Sequence, residues 1–315
     1  MSSIFITVLP VFGMIMLGYV FGKTEIIDAV AGKGLSLFVF NVAIPALLFQ
    51  TMATMDTKDT APWGLWAVYF GGLAICWITT AFAARRIEAL DYSGGAVASM
   101  ATSFGNLALL GTPLALAHFG PSVAVPLGLI LSIHAPILWF SATLHRELFH
   151  AERSFNLKRI STELLMNLAR NAIVIALIAG SLWRLTGLGL NAVPDKMLSM
   201  MADASVPTAL FALGVSLAGY SLKGSWSAMF ALIGFKMFFF PAIVFILSRY
   251  VISLPPLWTQ IAVLFAAMPT GANAFLFAQR SNESVAAVSG AVAAGTGLAA
   301  ITTSVLLYLM DAGVI

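Results

Sequence analysis

The sequence predicts an all-α polytopic membrane protein of ten transmembrane helices, arranged as a 5+5 inverted repeat in which helices 4 and 9 are broken. Three observations lead there. Of its 315 residues 60% are hydrophobic and only 9% charged, where a soluble domain carries about 25% charged residues. The apolar runs are about 20 residues long, the length a helix needs to cross a bilayer and about twice that of a barrel strand. Two of the runs are interrupted by glycine, proline, asparagine and hydroxyl residues: ATSFGNLALLGTP at 101–113 and AMPTGANAF at 267–275.

Taken in order, helix 1 covers residues 4–21, and a loop with Lys23, Glu25, Asp28 and Lys33 follows. Residues 1–21 lack a basic leader and read as the first span rather than a cleaved signal. Helix 2, 34–52, carries Asn41 and Pro45 inside it. Helix 3, 63–84, stops on Arg85-Arg86. Helix 4, 93–119, holds the first interruption, and helix 5 covers 123–144. The polar stretch that follows joins the halves, so the chain divides into a first repeat at 1–145, a cytoplasmic connection at 146–164 and a second repeat at 165–315. In the second repeat, helices 6, 7 and 8 cover 165–185, 197–218 and 226–251. Helix 9, 257–279, holds the second interruption, and helix 10 covers 285–310.

Basic residues set the orientation. The odd-numbered loops hold ten: Lys23, Lys33, Arg85, Arg86, Arg146, Arg153, Lys158, Arg159, Lys223 and Arg280. The even-numbered loops hold four, Lys58, Arg184, Lys196 and Arg249. The odd loops are therefore expected in the cytoplasm of a cell (inner) membrane protein, with both termini extracytoplasmic. The net charge of +3 reports this bias and implies no nucleic acid. The single cysteine, Cys76, excludes an intrachain disulfide and a cysteine metal cluster. No cofactor is implied.

The halves echo one another. Gly18 matches Gly180 and Pro45 matches Pro207, each 162 residues on. Pro-x-x-Leu-Phe occurs at 45–49 and 207–211, and Ser122-Val123-Ala124 returns as Ser284-Val285-Ala286 at the same spacing. Trp63 matches Trp226 at 163, and Gly105 matches Pro269 at 164. A duplicated unit of five spans, an odd number, must place its second copy upside down.

The interruptions are the candidate binding site. A broken helix in hydrocarbon leaves backbone N–H and C=O groups without partners, at several kcal/mol each. Such breaks persist where the freed groups are buried in protein or face a polar cavity, and interrupted spans at matching places in two halves point to a transporter's substrate site. Gly105, Asn106, Thr112 and Pro113 form the first half of the site, and Pro269, Thr270 and Asn273 the second. Small residues and proline kinks also serve ordinary helix packing. The asparagines add an amide able to hold a carboxylate, and half-helix N-termini direct positive dipole ends at an anion.

Four further residues join them. Lys236 lies mid-span in helix 8 among phenylalanines, where a charge costs about 2.5–3.5 kcal/mol even on the lenient insertion scale; it either contacts substrate or is a structural cation bonded to the carbonyls of a broken helix. Asn41 and Asp203 stand at equivalent places, each four residues before a proline, as two polar points on one cavity wall. A proton-coupled carrier needs a titratable group within the membrane. Asp203 is one candidate and His134, two residues before Pro136, the other.

At these residues the chain resembles the auxin efflux carrier family, in its bacterial branch of malonate-type and auxin-type carriers. The resembling pieces are LPVFGMIMLGYVFGK, LSLFVFNVAIPALLF, SFGNLALLGTPLALAHFG, VPTALFALGVSLAG, Lys236-x-x-x-x-Pro241 and MPTGANAFLFAQR, which cover most of the chain in order. The resemblance implies ten spans, an inverted repeat and helices 4 and 9 crossing at a central site, and it is compatible with a homodimer. Plant members carry proline where this chain has Gly105, and a long cytoplasmic loop that is absent here. The expected function is a secondary transporter moving a small organic carboxylate anion across the lipid bilayer, linked to protons or membrane potential. The alternative is a sodium-coupled organic-anion symporter of bile-acid-carrier type. An intramembrane enzyme would need a zinc-binding His-Glu-x-x-His run or paired aspartates, and neither is present; a phosphate-binding loop is also absent.

Overall fold

The computed structural model describes residues 2–54, 62–87, 90, 95–149, 157–222 and 225–315. Lys58, Arg153 and Lys223 of the charge argument lie outside the described residues, as do residues 93 and 94 at the expected start of helix 4.

An apolar chain can bury its backbone polar groups within each segment only as helix, and the described residues form sixteen α-helices and no β-strand. The first half contains α1 (Ser2–Lys23), α2 (Ala29–Phe38), α3 (Ile44–Thr54), α4 (Trp63–Ala84), α5 (Ala96–Ser103), α6 (Thr112–Phe119) and α7 (Ala124–Phe149). The second contains α8 (Leu157–Ala169), α9 (Ala172–Leu185), α10 (Ala192–Asp203), α11 (Ser205–Leu217), α12 (Trp226–Gly234), α13 (Phe240–Ile246), α14 (Pro256–Ala267), α15 (Ala272–Ser281) and α16 (Val285–Asp311). Side-chain oxygens cap several starts: Asp28 accepts from the N–H of Ala31 at α2, and Asn171 from that of Ile173 at α9. Among the described residues seven helical stretches are long and apolar enough to cross a membrane, eight if the bent pair α8 and α9 is one span. The longest of these, Leu107–Phe149, is 43 residues, about twice a bilayer crossing, and turns at Gly120 with φ +72°. The polar connection is more helical than expected: α7 runs on to Phe149 and α8 begins at Leu157, held by ion pairs from Arg159 to Glu147 and Glu163.

Proline accounts for several of the helix deformations, though not for the π-helical turn at Leu247–Val251. A proline at position i cannot donate to the carbonyl at i−4, and its ring crowds that turn. Three wide, π-helical turns, Val39–Ala43, Leu107–Gly111 and Phe235–Phe239, each end two residues before a proline, at Pro45, Pro113 and Pro241. In two of them the N–H just before the proline reaches back five residues, from Ile44 to Val39 and from Phe240 to Phe235. Pro207 does the same work by interruption, since α10 stops at Asp203, the carbonyl four residues before it, and α11 begins at Ser205.

The helices form two units, each drawing segments from both halves of the sequence. The first comprises residues 1–63, 108–133 and 168–219. In it α1 packs along α11 and α3 along α9, and the two contacts are alike in detail. A Cβ on Gly18 would stand 2.1 Å from the Phe211 carbonyl oxygen, and one on Gly180 would stand 2.6 Å from that of Phe49. Gly18 and Gly180 are 162 residues apart, and so are Phe49 and Phe211. The second unit comprises residues 64–107, 134–167 and 220–315, and contains both helix interruptions.

Because both approaches are to rigid backbone, Gly18→Ala and Gly180→Ala should each destabilise the purified protein by about 1–3 kcal/mol, the usual penalty for overpacking. Thermal unfolding in detergent measures this. Gly13→Ala, where an added Cβ meets nothing within 4 Å, is the matched control and should be neutral.

Candidate functional site

In the second unit the chain leaves helical geometry twice, and the two departures pair with each other. After α5 the backbone extends at Phe104 (φ −81°, ψ 99°), and after α14 it extends at Met268 (φ −62°, ψ 142°). The Asn106 N–H donates to the Pro269 carbonyl at 2.8 Å, and the Gly271 N–H donates to the Phe104 carbonyl at 2.8 Å. Gly105 and Thr270 thus face each other as a single antiparallel bridge. Gly105 and Thr270 are 165 residues apart. Shifting every residue by that spacing turns one hydrogen bond into the other.

The broken ends are capped by side chains. In a continuous helix the Ala101 carbonyl would accept from residue 105 and the Ala266 carbonyl from residue 270. Instead the Thr270 hydroxyl donates to Ala101 at 2.9 Å, and the Lys236 ammonium donates to Ala266 at 2.6 Å. Lys236 has no exposed surface. Its Nζ lies 4.8 Å from the Phe240 ring centroid and would stand 3.2 Å from a Cβ on Gly105. Gly271 is similarly confined, its missing Cβ facing the Gly105 carbonyl oxygen at 3.0 Å. Among the described residues no carboxylate lies within 4.0 Å of Lys236. Of the two roles expected for this residue, the geometry displays the bond to a broken helix end.

The two asparagines are left available. Asn106 is buried at 7% exposure and Asn273 half-buried. Neither carboxamide hydrogen-bonds to protein among the described residues. The N–H groups of Ala272 and Asn273, in the first turn of α15, have no acceptor within the helix. Amides and a helix N-terminus are the groups that bind carboxylates.

The structure therefore brings together Gly105, Asn106, Pro269, Thr270 and Lys236, with Asn273 one turn along. His134 joins through its ring, 4.9 Å from that of Phe104. Both its nitrogens are buried without a hydrogen-bond partner. Beside it, ring centroids 5.9 Å apart, stands Tyr69, whose hydroxyl is also buried and unpartnered. Tyr69 escapes sequence reasoning because one tyrosine in an aromatic-rich span carries no spacing signal. The remaining predicted residues belong to the first unit. Thr112 and Pro113 are buried, the Thr112 hydroxyl without a partner. Asn41 is exposed and its amide donates to the Leu37 carbonyl at 2.9 Å. Asp203 is exposed at the end of α10.

The model of the family described as membrane transport protein matches residues 3–307. The chain belongs to this membrane transport protein family. Among its relatives is a Rhizobium meliloti (strain 1021) protein named provisionally as a malonate transporter, 24% identical over 99% of this chain and 98% of that one. Escherichia coli (strain K12) has an uncharacterized transporter, YfdV, 24% identical over 96% of this chain and 94% of its own. Auxin efflux carrier component 8 of Arabidopsis thaliana is 30% identical over 47% of this chain and 41% of its own. The resemblance drawn from the motifs is thus supported along the whole length, and this member of the family is a multi-pass membrane transporter.

Cys76 is fully buried, so a polar maleimide should leave the native protein unlabelled and react only after unfolding, which mass spectrometry reads directly. On that silent background Asn273→Cys should label in the folded protein and Asn106→Cys more slowly, in keeping with their exposures.

Proposed function

We propose that this protein is a secondary transporter of small organic carboxylate anions, with substrate held at the paired helix interruptions by Asn106, Asn273 and the N-terminus of α15. The observation that carries this is the pair of buried or half-buried asparagine carboxamides without protein partners, set beside two backbone segments that satisfy each other. The provisional name of the Rhizobium relative makes malonate the first substrate to test. In the first unit Thr112, Pro113 and Asn41 remain proposed substrate-binding residues and Asp203 a proposed coupling group; in the second unit His134 is the other proposed coupling group.

We further read the chain as ten passes in a 5+5 inverted repeat with crossing helices 4 and 9. That count takes α5 with α6, α8 with α9 and α14 with α15 as interrupted or bent passes, and separates α6 from α7 at Gly120. The reciprocal contacts of Gly18 and Gly180 support a two-fold relation between halves. The loop charges support a cell (inner) membrane protein with both termini extracytoplasmic.

Counterflow of labelled malonate into proteoliposomes tests the proposal. Wild type should exchange, and Asn106→Ala and Asn273→Ala should each lower the rate at least about tenfold, the loss of about 1.4 kcal/mol of binding. Absence of exchange with malonate and with other short dicarboxylates would overturn the substrate class. Exchange without sodium but responsive to a pH gradient favours proton linkage, and Asp203→Asn should then keep exchange while losing the pH response of net flux. A reporter after Ile315 should read extracytoplasmic.

A further inference from the structure

The two broken helix ends in the second unit occupy equivalent places but are closed by different chemistry. Ala101 and Ala266 are 165 residues apart, the spacing that relates Gly105 to Thr270. The carbonyl of Ala101 receives a neutral hydroxyl from Thr270, while that of Ala266 receives an ammonium from Lys236. Capping alone does not require a charge, since Thr270 does it without one. A buried lysine is the costlier solution in a membrane. What Lys236 adds is a compact positive charge at the negative end of a helix dipole, where the last carbonyls lack donors. Its surroundings have the character of a monovalent cation site: a carbonyl oxygen at 2.6 Å and an aromatic face at 4.8 Å, with no carboxylate within 4.0 Å among the described residues. The missing Cβ of Gly105 leaves room for the Nζ atom.

We propose that the Lys236 ammonium is a tethered substitute for a free monovalent cation at the end of α14, so that truncating the side chain opens a latent cation site. Sodium is then unnecessary at this position because the charge is carried by the chain itself. The consequence for transport rests on the carrier reading above, whereas the site can be tested by stability alone.

The test compares thermal unfolding of purified wild type, Lys236→Ala and Lys236→Met in choline, sodium and propylammonium chlorides at equal ionic strength. Propylammonium replaces the atoms that Lys236→Ala removes. Wild type should melt at the same temperature in all three salts. Lys236→Ala should melt lower in choline and recover by about 3 °C or more in propylammonium, with a smaller rise in sodium. Lys236→Met fills the space with an apolar chain and should melt lower than wild type without response to any cation. The proposal fails if Lys236→Ala gains no more from propylammonium than wild type does, or if Lys236→Met is as stable as wild type. Sodium-dependent stabilisation of wild type would also overturn it, and that arm decides even if Lys236→Ala does not fold. Absence of exchange with malonate and with other short dicarboxylates in wild type would sink the carboxylate reading and leave these melting results standing.

Discussion

Two backbone hydrogen bonds govern this structure, those exchanged between residues 104 and 271 and between residues 106 and 269. In a bilayer an interrupted helix exposes amide groups to a solvent that cannot hydrogen-bond them, and each unsatisfied group costs several kcal/mol. One interruption alone would have to be filled by water or by many polar side chains. Two interruptions placed back to back satisfy each other's N–H and C=O groups with a single antiparallel bridge. Thr270 and Lys236 then close the carbonyls that remain. The second unit can thus hold non-helical backbone at its centre, and the asparagine amides beside it are released from structural duty.

The same economy explains the glycines. Gly105 and Gly271 sit where two backbone segments and an ammonium meet, leaving an added Cβ only 3.0–3.2 Å from its neighbours. Gly18 and Gly180 admit the carbonyls of Phe211 and Phe49, so helices pack backbone to backbone where apolar side chains gain little from leaving an equally apolar lipid. Proline shapes the helices by a second route. Each proline-directed wide turn leaves carbonyls or polar side chains off the helical ladder, and three of the residues singled out for chemistry, Asn41, Lys236 and Asp203, lie in or at such deformations.

Much of this was determined by the sequence alone. Composition and run length dictate membrane-spanning helices, since a chain this apolar has no other way to satisfy its backbone in lipid. The clusters at 101–113 and 267–275 mark the interruptions, which the structure narrows to residues 104–106 and 268–271. Recurrence of Gly18 as Gly180 anticipates the like contacts that these two glycines make with Phe211 and Phe49. What only the tertiary structure decided is who meets whom. The pairing of Gly105 with Thr270, the choice of the Ala266 carbonyl by Lys236, and the approach of Tyr69 to His134 join residues far apart in the chain. Local propensity holds no information about such meetings. They are selected by which buried polar groups can find partners once the helices pack, and that selection exists only in three dimensions.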